Sequence, residues 1–242
     1  MLVWLAGCYH PDLPSGAPCD DDRGCPASQR CIANVCGGPS IGNAIDAGAG
    51  SDDDGAPQGT VELRDDFKAG LGAWTTLPDH GTWSADAMGA RIASPEDSED
   101  YLLRQLPAAG HFRITLELTV EALTGTMDHL IGFSLVSSVA PYRQGAECSL
   151  SQQFTGPRQI FLWDPASGAD HIDARDYAWE VGASYQLVGT TAAPDRYDCT
   201  VAGDLAARRA AGTATAVDTI PVLTLHATGL TARLTSVVVE RL

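Results

Sequence analysis

The stretch Phe112-Arg-Ile-Thr-Leu-Glu-Leu-Thr-Val-Glu121 decides the fold of this chain, because it alternates apolar and polar residues without a break. Successive side chains of a β-strand point to opposite faces of the sheet. One face of this segment is therefore apolar, and the other carries charged and hydroxyl side chains. The pattern predicts a half-buried strand of an antiparallel sheet.

Shorter runs of the same kind lie on both sides of this strand and are separated by Gly, Pro and Asp turns. They predict strands at 129–137, 159–163, 184–190, 196–202, 222–226 and 232–240. Only residues 204–211, bracketed by Gly203 and Gly212, favour a helical turn. Regular short strands without long helical periodicity indicate an all-β fold, an antiparallel β-sandwich over residues 61–242.

Residues 61–242 also carry several landmarks in a characteristic order. These are Asp65-Asp-Phe67 followed by Trp74, then Gly81-Thr-Trp83, a late hairpin that ends in Val201-Ala-Gly203, and a closing strand at 232–239. The order resembles the concanavalin A-like, or laminin G-like, jelly roll. The resemblance implies that the opening segment pairs with the closing strand, and it implies no activity by itself. We interpret Phe67, Trp74 and Trp83 as core residues.

Composition divides the chain into four parts. We predict a partial signal segment and lipobox at 1–8, a Cys-rich disulfide module at 9–36, a flexible acidic linker at 37–60 and the β-sandwich at 61–242. The linker consists of Gly, Ala, Ser, Asp and Pro with almost no large apolar side chain. Such a composition cannot repay the entropy of ordering, so we expect a disordered tether.

Leu5-Ala-Gly-Cys8 resembles the bacterial lipobox, in which the cysteine receives a lipid before the signal peptide is removed. The resemblance implies a membrane partner through a lipid anchor on Cys8. Tyr9 is not the aspartate that retains some lipoproteins at the inner membrane, so it further implies the outer membrane of a cell envelope. The segment before Cys8 is short and has no Lys or Arg, unlike an export signal. We therefore expect a longer reading frame upstream. The alternative is an ordinary apolar N-terminus.

Cysteine usage supports export. The chain has seven cysteines, and lipid on Cys8 leaves an even six for disulfides in an oxidising compartment. Cys19, Cys25, Cys31 and Cys36 lie in a segment too short to bury a core, so cross-links must hold it. Its motif resembles small modules of myxobacterial surface lipoproteins. Alternation, Cys19 with Cys31 and Cys25 with Cys36, is one of three possible pairings, and a zinc site is the alternative.

Cys148 and Cys199 both lie in strand-like sequence, 51 positions apart. We predict a disulfide between them that joins neighbouring strands or sheets. The alternative is a catalytic cysteine, which would need a histidine base that the sequence does not indicate.

The net charge of −16 excludes some partners. A chain this acidic has no basic patch to collect phosphates, so we expect no nucleic acid partner, and an anionic lipid surface would repel it. Any membrane attachment must be covalent or hydrophobic.

No motif for catalysis is visible in the sequence. Glycosidases on the jelly roll carry two carboxylates that face the scissile bond, on a Glu-x-Asp-x-x-Glu run that this sequence lacks. We interpret the acidic patches at 96–100 and 170–176 as solvated loops. Phosphate loops, nucleophile elbows and zinc-protease helices are also missing from the sequence.

A binding function remains. Trp163, Tyr177 and Trp179 flank a polar segment, and aromatic rings beside carboxylates suit a polysaccharide or surface glycan. The oxygen donors expected for calcium, the one cofactor considered, are Asp164, Asp170, Asp173 and Asp176. The alternatives are that the aromatic residues belong to the core and that the acids are ordinary loop charge. The sequence thus predicts a non-catalytic glycan-binding or adhesion module, with a sugar-processing hydrolase or a structural envelope protein as alternatives.

Overall fold

The structure is a computed structural model that describes residues 30–32, 35–37, 59–137, 145–154, 156–164, 172–193, 195–203, 205–217 and 220–242. The chain divides into two compact units, Met1–Asp54 and Gly55–Leu242. The predicted lipobox with Cys8 and most of the predicted linker lie outside the described residues, so both stay predictions. Within the described ranges, no helix is long and apolar enough to cross a membrane.

The first unit contains a short antiparallel hairpin. It consists of β1 (Arg30–Ile32) and β2 (Val35–Gly37), with Cys31 opposite Cys36 in the register. Cys19 and Cys25 lie outside the described residues, and so do the cysteine side chains of the hairpin. The pairing predicted for this module therefore stays a prediction.

The second unit is a sandwich of two antiparallel sheets, which confirms the predicted all-β class. The seven-stranded sheet has the order β12-β11-β10-β9-β16-β7-β4. Its strands are β4 (Thr75–Leu77), β7 (Asp100–Gln105), β9 (His129–Val136), β10 (Gly145–Gln152), β11 (Arg158–Trp163), β12 (Asp173–Asp176) and β16 (Val222–Thr228).

The eight-stranded sheet has the order β15-β14-β13-β8-β17-β6-β5, with β3 also paired to β17. Its strands are β3 (Thr60–Asp65), β5 (Thr82–Asp86), β6 (Gly89–Ala93), β8 (Phe112–Leu123), β13 (Ser184–Ala193), β14 (Arg196–Ala202), β15 (Arg208–Thr213) and β17 (Leu230–Arg241). The opening strand β3 lies beside the closing strand β17, from Asp65 opposite Val237 to Thr60 opposite Arg241. This pairing is the one that the resemblance implied.

Alternation along β8 builds one side of the core. Phe112, Ile114, Leu116, Leu118 and Val120 are each at most 2% exposed, while the residues between them are exposed or half-buried. Phe67 and Trp74 are buried, as predicted, and Trp83 is partly buried against the same core.

A disulfide between Cys148 on β10 and Cys199 on β14 joins the two sheets through the core. It confirms the predicted pair. Both residues are buried, at 3% and 0% exposure. Because its ends are separated by 51 positions, this cross-link restricts a large part of the unfolded chain.

Two sequence predictions of local structure were wrong. A helical turn was predicted at 204–211, but residues 208–211 of that segment belong to β15, which pairs with β14 from Val201 opposite Arg208 to Arg196 opposite Thr213. Pairing with an exposed strand edge therefore overrides the helix propensity of this Ala-rich segment. The acidic patch at 170–176, interpreted as a loop, contains β12, and Asp100 of the patch at 96–100 is fully buried at the start of β7.

Candidate functional site

The candidate site lies on the face of the seven-stranded sheet that points away from the core. On β10, Cys148 faces the other sheet through its disulfide, so Glu147 and Ser149 point to the opposite face. On β16, Leu225 and Ala227 belong to the core, so His226 and Thr228 point outward. Alternation along neighbouring strands thus brings these polar residues to one surface.

One cross-strand row shapes this surface. The register places Tyr101 beside His226, His226 beside Gly132, Gly132 beside Ser149 and Ser149 beside Phe161. Residues directly opposite on paired strands lie side by side on one face of the sheet. The middle of the row is small, and larger side chains stand at its two sides. The row therefore forms the floor and walls of a groove.

A cleft of about 230 Å³ occupies this groove. Its apolar and aromatic lining comes from Tyr101, Leu130, Phe161 and Trp163, and its polar lining from Glu99, Asp128, Glu147, Gln153, His226 and Thr228. Trp163 and Tyr101 are half-buried, so each ring keeps part of its surface open to solvent. Phe161 and Trp163 lie at 6.4 Å between ring centroids. The cleft thus combines aromatic surface with hydrogen-bonding groups, the usual composition of a small-molecule site.

Glu147 and His226 form a buried pair beside the floor of the cleft. Glu147 Oε1 lies 3.3 Å from His226 Nε2, and the two residues are only 4% and 3% exposed. The Ser149 hydroxyl donates to Glu147 Oε1 at 2.9 Å and lies 3.1 Å from His226 Nε2. Ser134 Oγ lies 3.4 Å from the other ring nitrogen. A buried carboxylate needs such partners, because burying it alone would cost several kcal/mol.

Two further carboxylates stand at the rim. The Tyr101 hydroxyl donates to Glu99 Oε2, and the Tyr101 ring lies edge-on to the His226 ring at 6.0 Å. On the other side, Asp128 Oδ1 accepts a hydrogen bond of 3.0 Å from the Phe154 backbone N–H. Glu99 and Asp128 are both exposed. They can therefore meet a ligand directly.

Phe154 has an unusual backbone conformation next to this rim. Its φ is 42°, in the left-handed region that non-glycine residues seldom adopt, and its side chain is 55% exposed. The hydrogen bond to Asp128 holds the segment in this conformation. Strained residues that are held by their surroundings tend to occur at binding sites.

Asp100 fixes the strand that carries Glu99 and Tyr101. Its carboxylate accepts hydrogen bonds from the hydroxyls of Ser94 at 2.6 Å and Ser98 at 2.7 Å, and from the backbone N–H groups of Asp79 at 2.8 Å and Gly81 at 2.9 Å. Burial raises the pKa of Asp100, but these four hydrogen bonds outweigh it and the pKa is lowered from its usual value. The ionised group thus anchors the 79–81 connection to β7.

The three predicted aromatic residues occupy different environments. Trp163 lines the cleft, whereas Tyr177 and Trp179 are buried at 3% and 0% exposure. The Trp179 ring lies 4.5 Å from the Arg158 guanidinium and donates through Nε1 to the Ser151 carbonyl at 3.0 Å. Neither Tyr177 nor Trp179 can stack on a sugar without leaving the core. This burial agrees with the alternative that the sequence left open for them.

The three predicted calcium ligands that the structure describes have separate surroundings. Asp164 is 4% exposed and accepts from the N–H and hydroxyl of Thr215, each at 2.8 Å. Asp173 accepts from the Ala211 N–H at 3.1 Å, and Asp176 lies three residues along β12, which places it on the other face. Asp170 lies outside the described residues. In the rest of the chain that the structure describes, no group of three or more His, Cys, Asp or Glu side chains could hold a metal ion.

Sequence reasoning missed most of the cleft. Glu147, His226, Tyr101 and Asp128 belong to four different strands or their ends, and only the pairing of those strands brings them together. One local signal was available: in β10, Glu147 alternates with core residues and is followed by two serines at the same spacing. Small polar residues on the outward face of a central strand indicate a groove, because they leave space that larger side chains would fill.

Comparisons with known proteins show the fold. No family model matches the sequence, and no curated protein matches it either. Similar solved structures include lectin II from Ulex europaeus, at 12% identity and a TM-score of 0.53, covering 70% of this chain and 92% of the lectin. The CBM2 module of Lactobacillus casei BL23 phage J-1 evolved Dit is 13% identical, with a TM-score of 0.54 and coverage of 76% and 96%.

Crh5 transglycosylase in complex with NAG is also similar, at 12% identity and a TM-score of 0.51, covering 76% of this chain and 87% of that protein. At such identities the likeness shows the fold and no shared chemistry. The second unit is thus an antiparallel β-sandwich with the jelly-roll fold of lectins, consistent with the concanavalin A-like resemblance of its sequence.

Proposed function

We propose that residues 61–242 form a non-catalytic module that binds a glycan in the cleft of the seven-stranded sheet. The observation that carries this proposal is the cleft itself, which is lined by the half-buried Trp163 on one side, by Tyr101 on the other, and by the carboxylates Glu99, Asp128 and Glu147. A sugar ring has an apolar face that stacks on an aromatic ring, and hydroxyls that donate to carboxylate oxygens. The lectin fold of the sandwich supports the same function.

Glycan-array binding by the full chain, with and without calcium, tests this proposal. We expect wild-type binding to at least one glycan class and a loss of about tenfold or more in Trp163→Ala, because truncating a central aromatic residue removes its stacking surface. Met88→Ala is the matched control, since Met88 is 61% exposed at the β5–β6 turn of the other sheet. Silence of the wild type on all glycans would contradict the proposal and favour a structural envelope protein.

A second candidate is a sugar-processing hydrolase that uses the same cleft. The observation in its favour is Glu147, a buried carboxylate 3.3 Å from His226, because general acids in glycosidases are carboxyl groups in dry surroundings. Incubation of the bound oligosaccharide with wild type and Glu147→Gln distinguishes the two candidates. Release of new reducing ends by the wild type alone would establish the hydrolase, whereas binding without product supports the module.

We also propose that the chain is a lipoprotein anchored to the outer membrane through Cys8. Its support is the cysteine count: the Cys148–Cys199 bond uses two of seven, and four lie in the N-terminal module, which leaves Cys8 over. Mass spectrometry of the mature N-terminus tests the anchor. We expect a diacylglyceryl adduct on Cys8. We also expect globomycin treatment to block removal of the segment before Cys8. A free Cys8 thiol on an uncleaved chain would contradict it.

A further inference from the structure

The charge of the cleft is one-sided. Three carboxylates, those of Glu99, Asp128 and Glu147, line it together with His226, and none of the lining residues that the structure describes is Lys or Arg. Neutral sugars need acceptors and donors alike, and most sites for acidic sugars contain a cation. A cleft with this composition repels carboxylate and sulfate groups and attracts positive charge.

The arginine side chains on the described strands of the seven-stranded sheet form contacts outside the cleft. Arg104 lies 3.6 Å from Asp65, and Arg175 pairs with Asp173 at 3.0 Å. Arg158 donates to Gln152 and to the Trp179 carbonyl, with its guanidinium over the Trp179 ring. These guanidinium groups hold the sheet edges and the core. Among the described lining residues, the exposed carboxylates of Glu99 and Asp128 remain as charges that a ligand can meet.

We propose that the cleft selects a hexosamine with a free, protonated amino group over its N-acetylated and uronic acid counterparts. This inference rests on the proposed glycan-binding function. One sugar of an oligomer stacks on Trp163, and the ammonium group of another forms charge-assisted hydrogen bonds with Asp128 or Glu99 at the rim. The ring of Tyr101 adds attraction for a cation near its face.

Calorimetric titration of the full chain with three oligosaccharides of equal length tests the selectivity. One is a glucosamine oligomer, one its N-acetylated form and one a uronic acid oligomer, all at low salt and at about pH 6, below the usual pKa of such amines. We expect the free amine to bind about tenfold or more tightly than the acetylated form, and the uronic acid not to bind. Because the contribution is electrostatic, the preference shrinks as ionic strength rises.

The outcomes separate this inference from the proposed function. Equal or tighter binding of the acetylated oligomer overturns the selectivity and leaves the glycan-binding module intact. Failure of all three sugars to bind overturns the module as well. An oligolysine of equal length provides a further comparison: if it binds as tightly as the glucosamine oligomer, the cleft recognises any ammonium group and the sugar preference is overturned.

Charge-neutralising variants locate the effect. Asp128→Asn and Glu99→Gln keep side chains of the same shape, and an amide oxygen can still accept the Phe154 N–H. We expect each to lower the ratio of the two affinities several-fold. Asp176→Asn is the matched control, because Asp176 is an exposed acid on β12 of the same sheet and does not line the cleft. An unchanged ratio in both rim variants, or an equal fall in the control, would overturn the assignment.

Discussion

The two sheets of the sandwich present outward faces of different kinds. On the eight-stranded sheet, β8 alternates strictly, and Glu121 lies 2.7 Å from Arg91 and 3.1 Å from Arg233. Burial raises the pKa of Glu121, but the hydrogen bonds from the two guanidinium groups outweigh it and the pKa is lowered. On the seven-stranded sheet, Glu147 pairs with a histidine and the rim acids of the cleft have no Arg or Lys beside them in the described lining.

The difference shows where a sheet surface is adapted to a ligand. A face that only meets water balances its charges with opposite charges and alternates cleanly between buried and exposed residues. In β9, β10 and β16 this alternation is lost, and nearly every residue is buried on both faces. Buried polar residues on an outward face are costly to desolvate. Among the described residues they are concentrated on the seven-stranded sheet, which favours its outward face as the binding face.

The disulfide that joins the sheets gives the largest expected effect. Cys148→Ala combined with Cys199→Ala removes a cross-link over 51 positions, and we expect the free energy of unfolding to fall by about 4 kcal/mol. Urea unfolding of the oxidised protein and of the double variant measures this change. Cys148→Ala alone would be a poor substitute, because it leaves a free thiol on Cys199. A change below about 1 kcal/mol would mean that the bond does not hold the two faces together.

The buried pair on the cleft face comes next. His226→Ala removes the histidine partner of the buried Glu147 carboxylate and leaves the Ser149 hydroxyl bond in place, and we expect a loss of about 3 kcal/mol in unfolding free energy. Thermal and urea unfolding at neutral pH measure it. If the loss equals that of an exposed ion pair on the other sheet, the contrast between the faces fails.

A third prediction concerns the connection between the two sheets. Residues 79–81 link β4 of one sheet to β5 of the other, and the Asp100 carboxylate accepts hydrogen bonds from their backbone. We expect Asp100→Asn to cost about 2 kcal/mol, because the neutral amide accepts these hydrogen bonds less strongly than a carboxylate. The folded pKa is lowered, so the contribution is fully present above the unfolded pKa of about 4 and is lost as pH falls through the folded value.

Unfolding of wild type and variant across the acid range measures this prediction. The gap in stability should be constant at neutral pH and close as the solution becomes more acidic than about pH 4. A gap that persists unchanged in acid would show that the carboxylate's charge is not its source.

The smallest effect is expected on the eight-stranded face. Arg91→Ala removes one of the two guanidinium partners of Glu121, and Arg233 remains in place. The Arg91 side chain is 42% exposed and the Glu121 side chain 29%. An exposed ion pair contributes little, so we expect a change below about 1 kcal/mol. Measured beside His226→Ala under the same conditions, a change as large as 3 kcal/mol would erase the distinction between the two faces.

The sequence predicted those elements that carry their own signal. The strand at 112–121 lies within β8, residues 196–202 match β14, and 232–240 lie within β17. These segments alternate because one face is buried and the other is not. The strands β12 and β15 were missed because they are edge strands whose acidic or Ala-rich sequences form strands through pairing, not through local preference.

The cleft was harder to predict for a related reason. Trp163 could be proposed from its ring and its polar neighbours, whereas Glu147 and His226 are 79 positions apart and meet only because β10 and β16 both flank β9. The register of three strands decides that contact. Single-sequence patterns describe one strand at a time, so they predict the sheets better than the surface that the sheets share.

Glu147 and Cys148 are consecutive residues of β10, one directed to the cleft and the other bonded to the opposite sheet. The disulfide on Cys148 therefore restricts the backbone that positions the Glu147 carboxylate. Folding in a reducing compartment would leave β10 without this disulfide. We expect full ligand recognition only once this disulfide has formed, so that material made in a reducing cytosol would bind more weakly than oxidised protein.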